Sequence, residues 1–203
     1  MLLNEVNMGN KLEQFADFEK PFVVMSIGIP GSGKSTVMRE IAERLTIPVL
    51  STDGIREEIT GNPADISQDT LIPDIMDEKA GNIIGAGESV VIDATHTNPE
   101  VRRLQVRRCR ELGAVAVIGF LIDVPFEVAL ERNEARERKV PRFVLDNKYA
   151  ELVETPVTIE DGFDRVIRYS DWGYSLDDNL STNAYSQEVE ESSSRTAQAD
   201  LDL

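Results

Sequence analysis

The feature that constrains this chain most is the segment GIPGSGKST, Gly28 to Thr36, which directly follows the apolar run FVVMSI at Phe22 to Ile27. Gly28, Gly33, Lys34 and Ser35 satisfy the pattern G-x-x-x-x-G-K-[ST], in which each residue type has a physical task. Glycine lets the backbone turn until successive N–H groups converge on one anion, and the positive end of the following helix strengthens the field there. The lysine brings a point charge to phosphate oxygens, and the adjacent hydroxyl is a ligand for Mg²⁺. Such a loop needs a strand before it and a helix after it. The short apolar run suits a strand buried on both faces of a parallel sheet. Val37, Ile41 and Leu45 then recur at i, i+4 and i+8, as on one face of a helix. ATP and Mg²⁺ are therefore the expected cofactors. Gly28, Pro30, Gly31, Ser32, Gly33, Lys34, Ser35 and Thr36 are expected to surround the nucleotide phosphates, with Ser35 on the metal.

Further buried-strand candidates are Pro48 to Ser51, Ser89 to Asp93, Ala114 to Ile122 and Arg165 to Tyr169. Helical patterns alternate with them. Asn98 reads as an N-cap with Pro99 at the first helical position, and Val101, Leu104 and Cys109 are expected to face inward with the arginines outward. Other helices are expected from Pro125 and from Pro141, the latter with a stripe of Leu145, Tyr149 and Leu152. This alternation predicts an α/β chain with a parallel sheet of about five strands and helices on both faces. A short amphipathic helix with Leu12, Phe15 and Phe18 on one face is expected within an N-terminal extension, residues 1–21. The folded domain is expected over 22–175. Residues 176–203 turn to Ser, Asn, Gln, Asp and Glu, a composition that cannot bury enough apolar surface to order itself, so a disordered acidic tail is expected.

A phosphate loop does not by itself choose an acceptor. A guanine-specificity motif N-K-x-D is missing, since Asn147-Lys148 continues as Tyr149-Ala150. A motor would need a larger body. Ser51-Thr52-Asp53-Gly54-Ile55-Arg56 follows the second strand, and open parallel sheets bind ligands at the carboxyl ends of their strands. Asp53 there can take the proton of an attacking hydroxyl. Arg56, one helical turn on, can grip an acceptor phosphate. The alternative is a capping Asp53 and a solvated Arg56, and spacing does not separate the two. The segment Arg132 to Arg142 adds Arg132, Arg136, Arg138, Lys139 and Arg142. Its acidic neighbours could pair with these, but an arginine beside a transferring phosphoryl group is worth roughly 10³–10⁵ in rate, so a lid role is expected.

Taken together, GIPGSGKST, STDGIREEI, VVIDATHTNPEVRR and ERNEARERKVP resemble the kinase domain of polynucleotide 5′-hydroxyl kinases of the phage and bacterial repair type. The likeness spans about residues 22 to 170. It implies a P-loop kinase fold with an arginine-bearing lid and transfer of the ATP γ-phosphate to a nucleic-acid 5′ end. It further implies Asp53 as general base, Arg56 on the acceptor's 3′-phosphate, Lys34 and Ser35 on ATP and metal, and Arg136 on the transferring group with Arg132 one turn earlier. The chain departs from the family at His96, where relatives often carry asparagine, and at Asp93-Ala94, where the carboxylate is shifted by one place. Asp93 is read as serving either the Mg²⁺ water shell or the phosphate loop, and His96 as a loop hydrogen-bonder or a substrate contact.

The formal net charge of −16 opposes a polynucleotide partner, since phosphate backbones repel acidic proteins. The charge is uneven, however, and more than half of the 21 basic residues fall between Arg102 and Lys148. The cluster Arg102, Arg103, Arg107, Arg108 and Arg110 is either a phosphate track or a solvated helix face. Two other functions remain open: a kinase for a small metabolite such as a nucleoside, sugar or nucleotide-sugar, and a non-catalytic ATP switch whose tail recruits a partner. One cysteine, no secretion signal and no long apolar run make the cytoplasm the expected location, that of a host if the chain is phage-encoded. No membrane or stable protein partner is expected.

Overall fold

The computed structural model describes residues 12–172. Five strands form one sheet: β1 (Phe22–Ile27), β2 (Val49–Ser51), β3 (Val90–Asp93), β4 (Ala116–Leu121) and β5 (Arg165–Arg168). Their order is β2-β3-β1-β4-β5, and every pairing is parallel. Each residue of β1, β3 and β4 is buried, so helices cover both faces of the sheet centre, as the expected architecture requires. The helices are α1 (Lys34–Leu45), α2 (Thr52–Thr60), α3 (Ile72–Gly85), α4 (Pro99–Glu111), α5 (Phe126–Glu134) and α6 (Arg142–Glu154). Because the chain leaves β1 first toward β2 and β3 and only later toward β4 and β5, the order reverses beside β1. A crevice opens there at the strands' carboxyl ends.

Local chemistry sets the helix starts. The Asn98 side chain accepts from the N–H groups of Glu100 and Val101, with Pro99 at N1. The Ser51 side chain caps α2 by accepting from Gly54 N–H. Leu145 and Leu152 of α6 are buried, with Tyr149 partly so.

The expected inward face of α4 holds at Cys109 and fails at Val101 and Leu104. Val101 and Leu104 are 55% and 40% exposed, whereas Arg102 and Cys109 are fully buried and Val106 nearly so. Arg102 can be buried because every side of its guanidinium is met. Nε donates to Asp161 at 2.8 Å, Nη1 to the carbonyls of Thr97 (2.8 Å) and His96 (3.2 Å), and Nη2 to Thr155 O at 3.3 Å. Arg103 shares Asp161, Arg108 pairs with Asp77 and Arg110 with Asp164. The arginine row is mostly an internal set of ion pairs, neither an open phosphate track nor a freely solvated face. Arg107 alone of the five has no such partner among the described residues, and it is exposed.

Residues 12–16 are helical and seat Phe15 in the core, while residues 1–11 and the expected acidic tail lie outside the described residues. Among the described residues no helix is long and apolar enough to cross a membrane.

Candidate active site

The phosphate loop owes its shape to two glycines. Gly33, at φ 97°, is the left-handed residue that opens α1. Gly31, at φ 88°, runs so close to α5 that a Cβ there would stand 2.1 Å from Ala129 O. The end of β3 is tied to the loop's base. Ser26 Oγ donates to Asp93 Oδ1 at 3.0 Å and accepts from Ala94 N–H, and Gly28 N–H donates to Thr95 O. His96 is buried at φ 44°, and its Nδ1 lies 2.8 Å from Ser26 O. A carbonyl only accepts, so Nδ1 carries the proton, and burial pushes the imidazole pKa down to about 4. His96 is thus a neutral prop under the strand ends.

Lys34 is buried, and its Nζ donates to Ile29 O at 2.8 Å, inside the loop it belongs to. Burial lowers its pKa to about 8, Asp93 works against that shift, Arg136 adds to it and Asp53 opposes it. The ammonium form still prevails at neutral pH, and an anion arriving in the loop would restore what burial removed.

A single cleft of about 1020 Å³ runs from this loop across the strand ends. Gly31, Gly33, Lys34 and Ser35 line one end and Asp53 and Arg56 the other, with Asp93 at the base and Arg136 and Arg138 above. Asp53, in the first turn of α2, has its side chain 64% exposed and pairs with Arg56 Nη1 and, at 3.7 Å, with Arg138. Arg56 has only 10% of its side chain exposed. Its Nε and Nη2 reach the two carboxylate oxygens of Asp69 at 2.8 and 3.2 Å, and Nη1 also donates to Pro63 O at 3.1 Å. Arg136 and Arg138 sit in the turn between α5 and α6, whereas Arg132 lies in α5 and Arg142 opens α6. Buried Asn133 pins that turn, its Nδ2 donating to Val140 O and its Oδ1 accepting from Val140 N–H. Arg132 stays outside the cleft, where Nη1 donates to Ser32 O at 3.3 Å and braces the loop from behind. Thr36, Gly28 and Ser32 likewise do not line the cleft, and Ser32 Oγ is buried without a hydrogen-bond partner.

Asp69, Pro63 and Asn133 were not expected from the sequence. Asn133, seven residues before Val140, carries no periodic signal, and Asp69 lies in the polar stretch GNPADISQDT, where nothing marks one carboxylate above another.

The loop fits a polyphosphate, since left-handed Gly31 and Gly33 turn the backbone into the start of α1 and buried Lys34 folds back onto Ile29 O of the same loop. Among the described residues no group of three or more His, Cys, Asp and Glu could hold a metal. That suits Mg²⁺, which keeps several waters and rests on substrate phosphates with one or two protein ligands. Ser35 and Asp93, which both border the cleft, are the residues that would hold it.

A family model described as an AAA domain matches residues 23–154. The chain belongs to this AAA domain family. Within it, the sheet order and the loop give the P-loop kinase fold. An uncharacterized protein of Mycobacterium tuberculosis is 30% identical over 122 residues, 54% of this chain and 24% of that protein. The chain thus spans about a quarter of the length of that mycobacterial relative. A cytidylate kinase of Alkaliphilus oremlandii is 26% identical over 166 residues, 77% of this chain and 75% of that enzyme. A solved chain of the Pnkp1/Rnl/Hen1 RNA repair complex superposes with a TM-score of 0.61 at 20% identity, covering 72% of this chain and 47% of the other. At that identity the likeness speaks to the fold alone.

Proposed function

We propose that this chain is an ATP-dependent kinase that moves the γ-phosphate of ATP to the 5′-hydroxyl end of DNA or RNA, with residues 22–175 as the catalytic unit. The observation that carries the reading is the continuous cleft, with a phosphate loop at one end and an exposed carboxylate at the other. The cleft's volume of about 1020 Å³ lies at the upper end of the range for ligand pockets, about 300–1,000 Å³, and its lining reaches from the loop to Asp53 and Arg56.

The N–H groups around Gly31 and Gly33, with Lys34, hold the β- and γ-phosphates. Ser35 would hold Mg²⁺ together with the nucleotide, and the ion would supply charge neutralisation for those phosphates. Asp53 accepts the proton of the attacking hydroxyl as its oxygen bonds to the γ-phosphorus, and the bond to the β–γ bridging oxygen breaks to release ADP. Arg136 faces the charge that develops on the equatorial oxygens, near enough to Lys34 for the two cations to sense each other. Arg132 acts one step back, on the loop.

The test is incubation with γ-labelled ATP, Mg²⁺ and a 5′-hydroxyl oligonucleotide. Label should appear at the 5′ end, and Asp53→Asn should lower kcat by roughly 10²–10⁴ with the affinity for ATP kept. An unlabelled oligonucleotide alongside a labelled small acceptor would overturn the polynucleotide reading. That second reading, a kinase for a small metabolite, is favoured by the occupied guanidinium of Arg56 and by the similarity to a cytidylate kinase.

A further inference from the structure

Arg56 and Asp69 form the least expected contact in the cleft, and it differs in kind from the Arg102–Asp161 pair. Arg102–Asp161 is sealed, with side chains 0% and 1% exposed, so separating it would strand two charges without water. In Arg56–Asp69 only the arginine is enclosed, while the Asp69 side chain is 43% exposed. If Asp69 swung away, its carboxylate would be hydrated at little cost, but Arg56 Nε and Nη2 would lose their acceptors, with Asp53 and Pro63 O left on Nη1 alone. The guanidinium fork presents Nε and Nη2 as parallel donors, an arrangement that takes a phosphate as well as a carboxylate. Asp69 therefore occupies the fork of Arg56, which lies one helical turn from the exposed carboxylate of Asp53.

The segment that carries Asp69 is lightly held. The connection from α2 to α3 leaves Ile66 and Leu71 68% and 46% exposed. Across the cleft its anchors are Arg56 on Asp69 and Pro63 O, and Arg138 Nη1 on the same Pro63 O at 2.7 Å. A segment with so little apolar burial opens at low cost. Both anchoring arginines border the cleft, so an anion entering there competes for both.

We propose that Asp69 is a specificity-determining placeholder: an acceptor with a phosphate beside its attacked hydroxyl displaces Asp69 from Arg56, while an acceptor without one leaves the segment latched. The inference rests on the kinase reading, in which Arg56 takes the acceptor's phosphate, and deepens it by making Asp69 the residue that decides which acceptors reach Arg56. Asp69 would then weaken binding of every such acceptor by competition, and removing its charge would strengthen that binding.

Calorimetric titration of the full chain, wild type and Asp69→Asn, tests this with three probes: a nucleoside 3′-monophosphate, the matching nucleoside and inorganic phosphate. The variant should bind the 3′-monophosphate about three- to tenfold more tightly, with the nucleoside unchanged, and Arg56→Lys in the variant background should abolish the gain. Phosphate transfer measured on the same two acceptors should show KM falling for the 3′-monophosphate with kcat held. Equal or weaker binding of the 3′-monophosphate by a variant that melts like wild type would overturn the proposal and leave Asp69 a mere brace for Arg56. A gain shared equally by the uncharged nucleoside would overturn it too, since the segment would then be a general lid. Binding is read without turnover, so a tighter Asp69→Asn complex with no transfer to either acceptor sinks the kinase reading and leaves the placeholder standing.

Discussion

At the residue scale, His96 shows how a side chain can be placed by what its backbone needs. Its φ of 44° lies in the left-handed region, which asparagine tolerates several-fold more readily than most residues. Its neutral ring is enclosed and bonded to Ser26 O. Burial lowers the pKa from 6.5 to about 4, so between those values the unfolded chain binds a proton that the native chain refuses. Stability therefore rises with pH across that window and is lost as pH falls from 6.5 towards 4. The full contribution is on the order of 3 kcal/mol, at 1.36 kcal/mol per pKa unit. His96→Asn keeps the backbone conformation and removes the titration. Urea unfolding at pH 7.5, 6 and 5 should show the wild type weakening faster than the variant, and parallel losses would contradict this origin. Lys34 makes the same point from the other side: its loop motif was legible, but its lowered pKa of about 8 follows from enclosure that no motif encodes.

At the scale of elements, helix and strand placement followed patterns any reader of the chain can find, because buried strands and capped helices leave local marks. β1 coincides with FVVMSI, and α6 follows Pro141 with Leu145 and Leu152 turned inward. The face of α4 was not legible. A periodicity rule assigns arginine to solvent, and only Asp161, distant in sequence, together with three backbone carbonyls makes a buried Arg102 tolerable. The lid is a similar case. Its arginines were visible, but what holds them over the cleft is Asn133 closing on Val140 at both ends of one peptide edge. Asn133→Ala would leave those groups short of partners, at about 1–3 kcal/mol. It should loosen residues 135–140 and lower kcat on the order of tenfold with little change in ATP affinity. Amide exchange across that turn, measured beside steady-state kinetics, checks both halves of the expectation.

At the scale of the whole molecule, the site depends on distant parts staying in register. Asp161, near the start of β5, holds Arg102, and Arg102 in turn holds the His96 and Thr97 carbonyls just past the end of β3. Asp161→Ala should cost about 3–5 kcal/mol, because it strands a buried guanidinium. Chemical denaturation would reveal it, and a loss below about 1 kcal/mol would show that water or another acceptor fills the gap.

The amino-acid sequence by itself determined the phosphate loop, the alternation that yields a parallel sheet, and the nearness of Asp53 to the strand ends. Each of these is written in adjacent residues, through backbone freedom at glycine, hydrophobic period and the rule that ligands meet strands at their carboxyl ends. Only the tertiary structure decided that Arg56 is already occupied, that Arg102 is buried, that Arg132 stands behind the loop, and that Arg138 reaches across to Pro63. Those outcomes turn on which charges far apart in the chain meet out of water, and Coulomb attraction between them depends on distances that sequence separation does not record.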